Sequence, residues 1–151
     1  RLHYGLSLFI FTMSDRHFHL RLSCIYEGSE NSVAALTVET IVDNKWEELE
    51  LSVKSPGFLL FVSGLFSCQH LYMRTNSAER NLVLESAAGE LKVRTDENWI
   101  IQEAVANFSA KLRSGSPTRE DTAYIRERMH HCPVSSTLPA GLEVKNTVHF
   151  E

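Results

Sequence analysis

The side chains in this sequence best suited to nucleophilic or redox chemistry are its three cysteines, Cys24, Cys68 and Cys132. A cysteine attacks as thiolate, and two thiols that meet can close to a disulfide that a second dithiol reopens by exchange. The odd count, without the close pairs of a zinc ribbon or a disulfide scaffold, points to a cytoplasmic protein whose thiols are either packed or reactive. Cys68 closes the apolar run "SPGFLLFVSGLFSC", and Cys132 stands in "MHHCPVSSTL", followed at once by proline and a hydroxyl-rich turn. No spacing rule links the two, and each also reads as a small core residue. His70, His130 and His131 lie near them in sequence and raise the question of zinc. A zinc site needs about four convergent ligands, and adjacent helical side chains diverge by about 100°, so no metal is expected. Histidines at the end of a helix suit the negative end of its dipole instead.

Strands and helices must position these residues. From His17 to Glu27 the chain alternates, with Phe18, Leu20, Leu22 and Cys24 on one face, which predicts a half-buried strand with Cys24 in the core. "GSEN" is a turn, "SVAALTVETIV" a second strand and "KWEELELSV" a third, its apolar members Trp46, Leu49, Leu51 and Val53, so an antiparallel meander is expected. Ser55 as N-cap and Pro56 at the first helical position open a helix that runs to about Ser77. Phe58 to Cys68 is apolar almost all round, the mark of a buried central helix, in which Gly64 would let another backbone approach.

"LVLESAAGELKVRTD" reads as a strand or a hairpin, and "WIIQEAVANFSAKLRS" mainly as a strand, with a helix as the alternative. A second helix follows, with Ser116 as cap, Pro117 in the first turn, and Glu120 and Asp121 near the positive end of the dipole. On it Ile125, Met129 and Cys132 form one stripe, so Cys132 faces inward, and Pro133 ends the element. "LEVKNTVHFE" is the last strand. The order β-β-β-α-β-β-α-β predicts an α+β fold, a mainly antiparallel sheet of about six strands with two helices packed on it.

A length of 151 residues fits one domain. We assign residues 13–151 to it, beginning at Met13. Residues 1–12 read as an upstream or added extension whose apolar core, Leu6 to Phe11, is short for a signal peptide; an extra N-terminal strand is the alternative. With 43% hydrophobic and 23% charged residues the composition is that of a globular protein. A net charge of -4 gives no electrostatic reason to expect nucleic acid, and no run of about eighteen apolar residues suggests a membrane span. There is no glycine-rich phosphate loop.

Together, "SPGFLLFVSGLFSC" at 55–68 and "HHCPVSSTL" at 130–138 resemble the OsmC/Ohr family of thiol-dependent peroxidases, and the order of elements agrees from about residue 16 to the end. The resemblance implies an intertwined homodimer with its cysteine pairs near the interface, organic hydroperoxides as substrates, a dithiol reductant and no cofactor. It implies that Cys68 attacks the O–O bond and becomes a sulfenic acid, which Cys132 resolves as a disulfide. A place at a helix C-terminus would disfavour thiolate at Cys132 and suit it to resolving; burial mid-helix would raise the Cys68 pKa unless a cation or donor is supplied.

In the family an N-terminal arginine supplies that activation, held by a glutamate at the start of the central helix. Here Gly57 and Phe58 stand where acids are usual. Arg16, in phase with the apolar face of the first strand, and Arg21, on its polar face, are the candidate arginines. Glu47, Glu48 and Glu50 are candidate substitutes for the acid, with a solvated strand face as the other reading. Phe61, Phe66, Tyr72 and Met73 are core or subunit interface, though in a family member some would line the apolar substrate pocket. The alternative to a peroxidase is a non-catalytic relative, redox-sensing or binding a small ligand.

Overall fold

The structure, a computed structural model, describes residues 15–151. The extension expected over residues 1–12 and the start at Met13 lie outside them. Strand β1 (Arg16–Glu27) follows its alternation, burying Leu20, Leu22, Cys24 and Tyr26. It pairs antiparallel with β2 (Ser32–Val42) on one side and with β4 (Val83–Thr95) on the other. β3 (Lys45–Glu48) extends β2 to one edge, while β5 (Ile101–Ser114) and β6 (Lys145–Phe150) complete the order β3-β2-β1-β4-β5-β6. β6 is reached through a helical crossover from β5 and pairs parallel to it, so the sheet is mixed.

The third strand is shorter than expected. After Leu49 N–H reaches Val38 O (2.8 Å) the chain leaves the edge, and Val53 is 97% exposed. A turn forms instead: Ser55 N–H donates to Ser52 O (2.9 Å) and Ser52 N–H to the Ser55 hydroxyl (3.0 Å). That turn occupies the hydroxyl expected to cap the next helix. Helix α1 (Gly57–Glu79) therefore begins behind Pro56 at the N-cap, with no side-chain cap.

Val62, Leu65, Phe66, Gln69, His70 and Met73 recur every three or four residues and form the buried face of α1, which packs on β1, β4 and the second helix. The expected all-round burial is not reached: Phe58 to Phe61 are half-buried and Leu71 is 41% exposed. Gly64 is not the close approach either, because nothing outside its own helix comes within 4 Å of where its Cβ would stand. Gly89 in β4 is. A Cβ there would lie 2.7 Å from the Phe108 ring and 3.1 Å from Leu22.

Helix α2 (Arg119–His130) is capped two residues later than the Ser116-Pro117 reading. Thr118 and Asp121 form a reciprocal capping box, the Thr118 hydroxyl accepting Asp121 N–H (3.1 Å) and the Asp121 carboxylate accepting Thr118 N–H (2.9 Å). Asp121 also takes Arg80 Nε (2.7 Å), tying the start of α2 to the end of α1. Ile125 and Met129 are fully buried, as the stripe requires. Beyond Pro133 a single 3-10 turn, Ser135–Thr137, leads towards β6. Among the described residues, no helix is long and apolar enough to cross a membrane.

Candidate functional site

Cys68 lies on α1 beside the buried stripe and is partly exposed, while Cys132 follows α2 by two residues and is fully buried. The packing of the two helices sets the thiols near enough that each acts on the other's ionisation, and Gln69, the residue after Cys68, reaches the Cys132 sulfur. In the turn after α2, the Val134 amide acts on Cys68, while Ser135 N–H meets the Cys132 sulfur at 3.4 Å. The Ser135 hydroxyl is 3.2 Å from the same sulfur, and Gln69 Nε2 donates to it at 3.4 Å.

Gln69 is itself fixed by chemistry of the chain. Its Nε2 donates to Met129 O at 2.8 Å, a carbonyl in the last turn of α2 that also accepts Cys132 N–H at 3.3 Å. This contact sets the amide orientation, since the reverse would oppose two oxygens. Gln69 is 0% exposed and its Oε1 has no hydrogen-bond partner.

The two thiols are held in opposite senses. Burial pushes Cys68 up to about 11, and donating to Cys132 adds to this, against the single Val134 amide. Burial is also the largest effect on Cys132, but the hydrogen bonds from Cys68, Ser135 and Gln69 outweigh it and hold that thiol below its ordinary value. The rise at Cys68 is the one expected of a thiol buried mid-helix. The expectation that Cys132 would disfavour thiolate is overturned: its sulfur faces the donors of the following turn rather than the carbonyl end of α2.

The candidate activators do not meet the pair. Arg16 donates to Glu97 O (2.7 Å) and stacks 4.0 Å over Trp99, and Arg21 pairs with Glu39 beneath Trp46. Glu47, Glu48 and Glu50 are exposed, the first two on the edge strand β3, as a solvated face would be. Among the described residues, no arginine or acid acts on Cys68. Phe66 and Met73 are core, with Phe61 and Tyr72 packed against it.

The histidines separate. His70 is buried with Nε2 2.6 Å from the Tyr26 hydroxyl, and His131 sits 3.1 Å from Glu127 one turn back. Among the described residues, no three His, Cys, Asp or Glu side chains converge to hold a metal ion. Cys24 is a core residue whose thiol lies 3.7 Å from Ile25 O, apart from the other thiols.

An apolar cleft of about 840 Å³ opens at the N-terminal end of α1, between Phe18, Phe58, Trp99 and the β2 residues Ile41 and Val42. Neither paired cysteine lines it, and Phe58 precedes Cys68 by about 15 Å of helix. Sequence reasoning missed Gln69 and Ser135. The available signals were a lone amide inside an apolar helical run and a hydroxyl three residues after a cysteine, the offset at which a side chain meets a turn amide.

No protein-family model matches the sequence, and no curated protein does. Solved structures do match the fold. An OsmC-like protein from Mycoplasma pneumoniae aligns over 76% of this chain and 88% of its own, with 13% identity and a TM-score of 0.51. A protein assigned to osmotic stress induction and the detoxification response in Psychrobacter arcticus 273-4 aligns over 76% and 87%, with 10% identity and a TM-score of 0.50. An OsmC-like hydroperoxide resistance protein from Jannaschia sp. CCS1 aligns over 80% and 85%, with 18% identity and a TM-score of 0.49. At such identities the likeness speaks to architecture, and with a six-stranded mixed sheet and two helices in this order the chain has the OsmC-like fold.

Proposed function

We propose that the protein is a thiol-dependent peroxidase acting on organic hydroperoxides. The observation that carries this reading is that Cys68 and Cys132, one partly exposed and one buried, lie side by side where two helices and the turn after the second meet. Cys68 is the thiol a peroxide can reach. Its sulfur attacks the terminal peroxide oxygen, the O–O bond breaks, and the alkoxide leaves as alcohol after taking a proton. Cys132 then attacks the Cys68 sulfenic acid, water leaves, and the disulfide forms. A dithiol reductant returns both thiols through a mixed disulfide. The protein works as a homodimer in this reading. By register, Leu36 and Val42 of β2 share the face on which β1 buries Leu22 and Cys24, yet neither helix covers them, and they are 45% and 41% exposed. A second copy would cover that face.

The test is direct. Reduced protein is mixed with tert-butyl hydroperoxide, and free thiols and intact mass are followed beside Cys68→Ser and Cys132→Ser. A rapid Cys68–Cys132 disulfide in the parent, and a trapped sulfenic acid when Cys132 is replaced, support the proposal. Thiols that survive excess peroxide unchanged overturn it. One observation favours the second reading, a non-catalytic redox-sensing or ligand-binding protein: among the described residues no arginine acts on Cys68, and Gly57 and Phe58 stand where the acids were expected. In that case the oxidation is far slower than turnover requires, while the cleft beside Phe58 still takes an apolar ligand.

A further inference from the structure

We propose that the reduced pair keeps its negative charge on the buried Cys132, fixed there by Gln69 and Ser135, and that Cys132 is the base that removes the Cys68 proton as Cys68 attacks. The inference rests on the peroxidase reading and supplies an activation of Cys68 that uses no arginine. Its ground is geometric. The Cys132 sulfur receives the Ser135 amide at 3.4 Å and Gln69 Nε2 at 3.4 Å, with the Ser135 hydroxyl 3.2 Å away and shared with Cys132 O at 3.0 Å. Cys68, one residue before Gln69, stands beside it with the Val134 amide as the donor that acts on its own sulfur. Donors stabilise the thiolate they surround, so the proton shared by the two sulfurs belongs on Cys68 at rest. Among the described residues, the groups acting on the two sulfurs are the thiols themselves, Gln69, Ser135 and the Val134 and Ser135 amides, and these donors are neutral.

The step is balanced. The Cys68 thiol, the Cys132 thiolate and a hydroperoxide ROOH give the Cys68 sulfenic acid, the Cys132 thiol and the alkoxide RO⁻. The S–O bond forms as the O–O bond breaks, the Cys68 sulfur loses two electrons to the peroxide, and its proton moves to Cys132. Transfer of that proton to RO⁻ gives the alcohol and regenerates the Cys132 thiolate next to the sulfenic acid, ready to close the disulfide and release hydroxide, which is water once protonated. Gln69 is a positioning residue here. Its contact with Met129 O holds the amide so that the remaining N–H faces sulfur.

The experiment is a pH titration of the reduced, unmodified chain labelled with carbon-13 at the cysteine Cβ atoms, which resolves the three thiols regardless of exposure. The expected result is a first ionisation at the Cβ of Cys132, with Cys68 titrating at higher pH. A first ionisation at Cys68 overturns the proposal. Gln69→Leu, similar in size but without the donor, moves the Cys132 midpoint upward and slows peroxide-driven disulfide formation near neutral pH by about tenfold, the worth of one hydrogen bond to a charged group. At a pH above the new midpoint the rate recovers, which a merely structural role would not produce. An unmoved Cys132 midpoint in Gln69→Leu removes Gln69 from the account. The titration needs no peroxide, so its outcome is separable from the peroxidase reading: a correct thiolate order with peroxide-inert thiols refutes the enzyme and not the charge placement.

Discussion

Helix α1 presents a buried polar group to two different neighbourhoods, and the cysteines in them come out differently. At one, Tyr26 of β1 places its Oη 2.6 Å from His70 Nε2 of α1, with Cys24 beside Tyr26 on the same strand face. Burial dominates there: the Cys24 and Tyr26 protons are held on, and the His70 proton is kept off. At the other, Gln69, one residue before His70, turns towards the end of α2 and joins Ser135 in supplying donors to Cys132. Cys132 is as buried as Cys24 (0% against 1% exposed), yet its thiol is held down and that of Cys24 up. Burial alone does not fix the character of a thiol; the count and aim of the donors around it do.

The comparison can be broken in several ways. The largest effect belongs to the paired thiols. Replacing either Cys68 or Cys132 by serine abolishes the peroxide-driven disulfide seen by mass, while Cys24→Ala leaves it intact; loss of the disulfide in Cys24→Ala would put Cys24 inside the chemistry.

The second is acid stability. Burial first, and the Arg74 charge second, hold His70 down to about 4. An unfolded chain takes up that proton near its ordinary value of about 6.5, so the unfolded state binds more protons between the two values. His70 thus contributes full stability above about pH 6.5, and this falls by about 3 kcal/mol as the pH drops to about 4. Urea midpoints followed over that window in the parent and in His70→Gln should diverge as the pH rises. Parallel curves would mean that His70 carries its proton in the fold.

A smaller effect is expected for Tyr26→Phe, which strands a buried His70 nitrogen and costs about 1–3 kcal/mol in denaturant unfolding. It leaves the Cys68–Cys132 disulfide unchanged, because the two clusters share a helix but no hydrogen bond. Smallest is the stability change in Cys24→Ala, about 1 kcal/mol, since that thiol is core packing.

Much of the architecture was legible in the sequence, for a local reason. Alternation in 17–27, in 83–95 and over 145–150 and the three-to-four-residue recurrence from Val62 to Met73 are imposed by burial of one face, and burial is written in residue type. The helix starts were less legible. The Ser-Pro device at 55–56 and 116–117 reads as a cap twice and caps neither time, because the Ser55 hydroxyl is taken by a turn and Thr118 has a better partner in Asp121. Gly64 and Gly89 show the same limit. Which glycine another chain segment crosses depends on Phe108, nineteen residues beyond Gly89 and brought beside it by the pairing of β4 with β5.

The sequence by itself determined the α+β class, the order of its elements and an inward-facing Cys132 at the end of the second helical stripe. Tertiary structure alone decided that Cys68 and Cys132 lie side by side, that Arg16 and Arg21 are engaged elsewhere, and that Gln69 and Ser135 surround the Cys132 sulfur. The physical reason is range. Periodicity follows from neighbours along the chain, whereas thiol ionisation follows from donors a few ångströms away in space, and residues 69 and 132 become neighbours only when α1 and α2 pack.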